Sequence, residues 1–384
     1  MATVGTMVEL TGPDRASTSP NPLGDVDALV DGGDMDCGSG LLLLITRAMR
    51  RLEPGQRLGV RSAEASVDVD LPVWAELVGH DVVTRVAESE QGPWWFAVSK
   101  AGSTSGGGDK SGRTEQPGTV FSQGERTPVG RRLWIYTNFD CNLACGYCCA
   151  ESSPKAAARR FPPALAAEVF DEFRAQGGRE VFLTGGEPFM HPELGTLIEA
   201  ADGLERTVLT NGMIFGKGTR RKTLESLDRD VVLQISLDSA TPELHDRQRG
   251  AGSWARALDG IELARSLGFR VRVAATLYDE DPKGAEALHR RLDDARIAPP
   301  DRIIRPVAQE GFADTGVHVA LENLEPEPTL TVDGAWWHPV AVTNPHLRIA
   351  DAPLPLAEVF GVVRDTLAVQ DAADRSGREV FRCA

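Results

Sequence analysis

Four of the six cysteines in this 384-residue chain, Cys141, Cys145, Cys148 and Cys149, crowd into nine consecutive positions. Thiolates are the usual protein ligands of iron–sulfur clusters, and spacings of three and two residues let one loop wrap three corners of a cluster. Three ligands for four irons leave one iron open, a place that a purely electron-carrying centre would fill. Zinc is the alternative these residues leave standing, although zinc sites usually use two Cys-x2-Cys pairs or add histidine, and no histidine lies nearby before His191. Cys149 follows the third ligand directly. Adjacent residues on a wrapped loop cannot both face one small cluster, so Cys149 reads as a buried thiol.

The elements that would position this loop alternate between two periods. Strand patterns occupy Leu133 to Thr137, Glu180 to Leu183, Arg206 to Leu209, Val231 to Ile235, Arg270 to Thr276 and Asp301 to Arg305. Helical patterns lie between them, at Pro162 to Gln176, Glu193 to Ala201, Lys222 to Asp228, Ser253 to Leu267 and Gly284 to Ala295. Six βα repeats imply parallel strands with right-handed crossovers, and the chain length suits a partial (β/α)6 barrel better than an eight-fold one. In such barrels the chemistry gathers at the C-terminal strand ends. The cysteine loop follows the first strand. Thr184-Gly185-Gly186-Glu187-Pro188 ends the second, Thr210-Asn211-Gly212 the third, and Ser236-Leu237-Asp238-Ser239 the fourth. Each is an ordinary turn by itself. Paired glycines allow close backbone approach, Glu187 can accept from an ammonium, and a hydroxyl with a carboxylate suits ribose hydroxyls.

Cys141-x3-Cys145-x-Tyr147-Cys148 resembles the signature of the radical S-adenosylmethionine (SAM) superfamily, with Tyr147 in its aromatic place, and the resemblance runs from about residue 131 to 310. It implies one [4Fe–4S] cluster on the three cysteines, SAM chelated at the open iron, and reductive cleavage of SAM to methionine and a 5′-deoxyadenosyl radical that takes hydrogen from a substrate. By the same resemblance Gly185, Gly186, Glu187 and Pro188 form the turn that binds the SAM amino group. Asn211, Ser236 and Asp238 stand at further cofactor-contact positions, and Val273 to Thr276 beside the adenine. Arg249 pairs with the SAM carboxylate, with Arg247 as its substitute. Better-known relatives carry additional cysteines after the barrel for auxiliary clusters. Here only Cys383 remains, which restricts the expected cluster count to one.

Upstream, Val26–Val30, Gly40–Leu52, Arg57–Ser62, Leu71–Val78, Val82–Ala87 and Trp94–Val98 read as β-α-β-α-β-β, a small two-layer sandwich. Cys37 stands at the junction of its first strand and helix, where a helix N-terminus favours a thiolate. The stretch resembles the TusA/SirA family of sulfur-relay proteins in its Cys37, its Asp-x-Pro helix start at Asp70 to Pro72 and its Gly79-His80. Gly38 and Gly40 replace the two prolines of that family's Cys-Pro-x-Pro motif. Cys37 is therefore a candidate sulfur carrier, and docking or substrate recognition is the other use open to the domain.

The expected organisation is a disordered leader (1–23), the TusA/SirA-like domain (24–100), a Gly- and Ser-rich flexible linker (101–128), the radical SAM partial barrel (129–310) and a C-terminal extension covering the barrel (311–384), in which Trp336, Trp337 and His338 line its open side. A net charge of −15 disfavours nucleic acid as the main partner. The longest aliphatic run, Leu41 to Ile45, is far short of a membrane span, so a cytoplasmic location is expected. Expected partners are a small-molecule or peptide substrate, a reducing protein such as a flavodoxin or ferredoxin, and a sulfur donor if Cys37 relays sulfur. Two other readings stay open: radical rearrangement or peptide modification without sulfur, and a non-catalytic iron–sulfur or sulfur-carrier protein.

Overall fold

The first element is an edge strand, β1 (Val8–Thr11), paired parallel with β2 (Ala28–Asp31). The chain is represented by a computed structural model that describes residues 8–11, 22–35, 41–78, 80–89, 92–100, 128–278, 282–321 and 324–375. Cys37, Cys383, nearly all of the expected linker and the rest of the expected leader up to residue 21 lie outside the described residues. Within the expected leader, residues 8–11 form a strand beside β2, and Val8 and Thr11 are good strand formers.

After β2 come α1 (Leu42–Arg51), β3 (Arg57–Ser62), α2 (Val67–Leu77), β4 (Asp81–Ala87) and β5 (Trp94–Ser99). The sheet order is β1-β2-β3-β5-β4, with β5 antiparallel to both of its neighbours. Helix α1 buries Leu42, Leu43, Ile45, Ala48 and Met49, and Arg50 and Arg51 fall in its last turn, where the helix dipole favours cations. Helix α2 starts at Val67 rather than at the expected Leu71, and Pro72 lies inside it. Asp68 and Asp70 occupy its first turn, where carboxylates complement the dipole and let the helix begin earlier.

The second sheet is built from β6 (Arg132–Tyr136), α3 (Pro163–Ala175), β7 (Glu180–Thr184), α4 (Leu194–Ala200), β8 (Glu205–Thr210), α5 (Gly218–Ser226), β9 (Val232–Ser236), α6 (Pro242–Arg249), α7 (Ser253–Ser266), β10 (Val271–Leu277), α8 (Pro282–Asp294) and β11 (Arg302–Pro306). These strands lie in sequential order, β6 to β11, and every neighbouring pair is parallel. The strands begin and end within a residue or two of the apolar runs, because strands buried on both faces read as near-continuous Val, Ile, Leu and Phe.

The C-terminal segment adds to the open edge of this sheet. β12 (Thr329–Thr331) pairs parallel with β6, followed by antiparallel β13 (Gly334–Trp336) and β14 (Arg348–Ala350). Helix α9 (Leu356–Arg375) then packs on α1 and α3. Trp336 and Val342 pack with Tyr136 and Phe139, so the same segment also covers the strand end that leads into the cysteine loop. The apolar core runs without interruption from α1 and β3 through α9 into the second sheet. Among the described residues no helix is long and apolar enough to cross a membrane.

Candidate metal centre

The cysteine loop leaves the C-terminal end of β6 and is held by backbone on both sides. Gly186 N donates to Asn138 O (2.8 Å), Glu187 N to Asp140 O (3.0 Å) and Cys141 N to Ser153 O (3.2 Å). A Cβ on Gly186 would sit 2.2 Å from Asp140 O, and one on Gly185, whose φ is +138°, 2.3 Å from Asn138 O. The paired glycines are thus needed for close approach of the β7 turn to the cysteine loop itself. Asn138, fully buried, fastens the same junction: its Nδ2 donates to the carbonyl oxygens of Asp140 (2.8 Å) and Glu187 (3.2 Å).

Burial pushes the Cys141 thiol up to about 12, with Glu187 adding to the effect, and pushes Cys145 up to about 11 against the opposing pull of Arg249. Leu143 N points at Cys141 Sγ (3.4 Å) and Ser152 N at Cys148 Sγ (3.3 Å). The donor set is therefore three soft sulfurs on one loop, two of them receiving backbone N–H bonds. The surroundings of Cys141 and Cys145 disfavour a bare thiolate and suit one neutralised by a metal. Among the described residues no three His, Cys, Asp or Glu side chains gather on one point as ligands of a single ion. Cys149 is also pushed up to about 12 by burial, and its carbonyl accepts from Thr343 Oγ1 (2.9 Å), which ties the loop to the C-terminal segment.

Glu187 is completely buried. Its Oε1 accepts from Phe189 N (3.1 Å) and Thr210 Oγ1 (2.7 Å), and its Oε2 from Asn211 N (2.8 Å). One carboxylate so clamps the turns after β7 and β8 together. Burial raises its pKa even though all three bonds favour the anion. Asn211 reaches the cysteine loop through Nδ2, which donates to Asn142 Oδ1 (2.8 Å). Pro188, buried, opens the short 3-10 turn that follows.

Asp238 is the second hub. Its Oδ2 accepts from Tyr147 OH (2.5 Å) and Arg249 Nε (2.6 Å), and its Oδ1 from Arg249 Nη2 (3.2 Å) and Thr276 N (3.1 Å). A carboxylate has about four acceptor positions, and all are filled. In this arrangement Asp238 holds Arg249, Tyr147 and the end of β10. The Arg249 guanidinium and its hydrogen bonds hold Asp238 below the usual carboxylate range despite burial. Arg249 closes α6, lies 5.4 Å from the Tyr147 ring centroid and is itself raised by Asp238. Its two bonded nitrogens use part of a five-donor fork. Arg247 is exposed, whereas Ser236 is half-buried at the end of β9 opposite Ala274 of β10.

The structure thus brings Tyr147, Asp238 and Arg249 together in one network, and Gly185, Gly186, Glu187 and Asn211 with the cysteine loop in another. Asn138, Asn142, Thr210 and Thr276 were missed as parts of these networks. A polar residue directly after a buried apolar strand was the available signal for Asn138.

Residues 135–292 match the family model described as "Radical SAM superfamily". The antilisterial bacteriocin subtilosin biosynthesis protein AlbA of Bacillus subtilis is 32% identical over 151 residues, 37% of this chain and 32% of AlbA. The mycofactocin maturase MftC of Mycobacterium ulcerans is 34% identical over 168 residues, 41% of this chain and 43% of MftC. This chain spans less than half the length of either. Streptococcus suis SuiB, solved with its precursor peptide SuiA, superposes with a TM-score of 0.42 and 18% identity over 48% of this chain and 41% of SuiB.

Proposed function

We propose that this chain is a radical SAM enzyme, on the match of residues 135–292 to that superfamily's model, and that it holds one [4Fe–4S] cluster on Cys141, Cys145 and Cys148 and binds SAM at the iron they leave open. When bound, cluster and cofactor supply reductive cleavage of SAM to methionine and a 5′-deoxyadenosyl radical, which abstracts hydrogen from the substrate. The observation that carries this reading is the pair of buried carboxylate hubs, Glu187 and Asp238, which fasten the ends of four further strands, β7 to β10, to the cysteine loop.

In this reading the β6–β11 array is the partial (β/α)6 barrel, with its mouth at the cysteine loop. Gly185 to Pro188 present the turn for the SAM amino group, and Glu187 keeps that turn against the end of β8. Asp238 orients Arg249 toward the SAM carboxylate and keeps it charged in a dry site. Ser236 is left as the hydroxyl for the ribose. The packed C-terminal segment behind Tyr136 and Phe139 excludes water from that side. A small reducing protein of the flavodoxin or ferredoxin kind delivers the electron.

For the substrate we take a peptide, on the strength of the relatives named for bacteriocin and mycofactocin maturation and of a "PqqA peptide cyclase" 33% identical over 141 residues. Sulfur delivery from Cys37 is the second reading, motivated by the TusA/SirA-like sequence around it. Anaerobic reconstitution, reduction with dithionite and addition of SAM is expected to yield 5′-deoxyadenosine and methionine in equal amounts; a reconstituted cluster that yields neither defeats the enzymatic reading. Product masses then separate the substrate readings, since a loss of two hydrogens marks a crosslink and a gain of sulfur marks relay through Cys37. An unchanged product from Cys37→Ala removes the relay.

A further inference from the structure

A second group of charges lies away from the cysteine loop, where α1 meets the C-terminal segment. Arg47 and Arg51 of α1 and Arg348 of β14 all pair with one carboxylate, Asp351, whose side chain is 49% exposed. Arg348 also donates to the carbonyl oxygen of Asp333, while the Asp333 carboxylate is taken by Arg159. The Arg47 side chain is only 8% exposed, and its Nε has no hydrogen-bond partner; the Nε of Arg348 is likewise buried and unpartnered. Three guanidiniums around one carboxylate leave two positive charges in surplus. Burial, then repulsion from Arg51 and Arg348, brings Arg47 down to about 10.

Beside this group a cleft of about 720 Å³ opens between α1, α2 and α9, within the usual size of small-molecule sites. Met49, Trp74, Val78, Val362 and Val369 form its apolar wall. Trp74 is 5% exposed, and its Nε1 is a further donor without a partner. The other charges facing the cleft are Arg50, paired with Asp365, Lys100, which donates to the carbonyl oxygens of Arg50 and Leu52, and Glu358, exposed on the rim. His80 is held toward its neutral form by burial and by Lys100. On a chain of net charge −15, the cleft wall carries four cations, Arg47, Arg50, Arg51 and Lys100, against Glu358 and Asp365.

We infer that this cleft binds a phosphate monoester with an apolar or aromatic body, the phosphate at Arg47 and Arg51, whose carboxylate partner Asp351 is shared with Arg348, and the body against Met49, Trp74 and Val362. Charge decides between oxyanions. A phosphate monoester carries about −1.5 to −2 at neutral pH, which matches the surplus, whereas one carboxylate neutralises only half of it. Planar guanidiniums also bind phosphate oxygens in pairs. Asp351 is the internal competitor for that place. None of these residues belongs to the cysteine-loop networks, so this site stands or falls independently of the radical chemistry.

Calorimetric titration of the full chain with phenyl phosphate, benzoate and inorganic phosphate tests it. Phenyl phosphate is expected to saturate one site, at least about tenfold tighter than either comparison compound. Arg51→Ala, at a half-exposed position that tolerates truncation, weakens binding by about tenfold or more. Asp351→Asn tightens it, because the competing carboxylate is gone; a purely structural Asp351 would move affinity the other way. Absence of saturable binding, benzoate binding as tightly as phenyl phosphate, or unchanged affinity in Arg51→Ala each overturns the inference. Should Asp351→Asn fail to fold, Arg51→Ala and the benzoate comparison still decide it.

Discussion

Two arginine–carboxylate groupings in this molecule use the same chemistry to opposite ends. At Asp238, one carboxylate with 5% side-chain exposure meets one arginine with 10%, and Tyr147 and the Thr276 amide fill its remaining acceptor positions. At Asp351, a half-exposed carboxylate serves three arginines, and two guanidinium Nε atoms are left unpaired. A closed network of this kind fixes geometry, as a cofactor site requires, while an open one has capacity for something else. The difference is one of completeness rather than of residue type.

The largest effect tests what the closed side is for. Cys145→Ser is expected to reduce 5′-deoxyadenosine formation to background with loss of bound iron, measured by iron analysis and chromatography, whereas Arg51→Ala leaves both intact. Next comes stability. Asp238→Ala strands a buried guanidinium and should cost about 3–5 kcal/mol in urea unfolding. Asp351→Ala should cost clearly less, because its carboxylate is half-exposed and water screens Arg51 and Arg348 once it is gone, although Arg47 loses its partner. Equal costs would erase the distinction between the two groupings.

The closed network also predicts a pH response. His245 Nδ1 accepts from Asp238 N (3.1 Å), and burial brings the imidazole down to about 4 from 6.5. The unfolded chain takes this proton below about pH 6.5 and the folded chain resists it until about 4. Stability from His245 is therefore complete above that window, falls as the pH drops through it, and is lost by about pH 4. His338 is lowered to about 4 in the same way. At about pH 5 each contributes roughly 2 kcal/mol of this loss, and His245→Gln should flatten the unfolding profile between the two limits.

Smaller again is a contrast between glycines. A Cβ on Gly186 meets the backbone oxygen of Asp140, which cannot retreat without moving the cysteine loop, so Gly186→Ala should cost about 1–3 kcal/mol and impair cluster incorporation. A Cβ on Gly361 of α9 meets the Arg50 guanidinium at 2.1 Å, the far end of a flexible side chain. Gly361→Ala should stay within about 0.5 kcal/mol in the same unfolding assay.

Much of the cofactor side was legible because its parts are local. Strands β6 to β10 each carry a buried apolar stretch, and the chemistry-bearing turns follow β6 to β9 directly. Helix α6, which carries Arg249, was not seen: it buries only His245, so no apolar stripe marks it. Strands β12, β13 and β14 are three residues each, too short to show a period. The saturation of Asp238 was hidden as well, because its partners come from the cysteine loop, α6 and β10. The arginine-lined cleft was out of reach for the same reason, since Arg51 and Asp351 are 300 residues apart. Residue types and turns are written locally, but whether a polar group is satisfied depends on the whole fold.

The central claim is that Cys141, Cys145 and Cys148 leave one iron of a four-iron cluster for SAM. Mössbauer spectroscopy of the ⁵⁷Fe-reconstituted protein, with and without SAM, measures this directly. The account predicts that SAM shifts the signal of one iron and leaves the other three unchanged. Four irons that stay equivalent in the presence of SAM would contradict it.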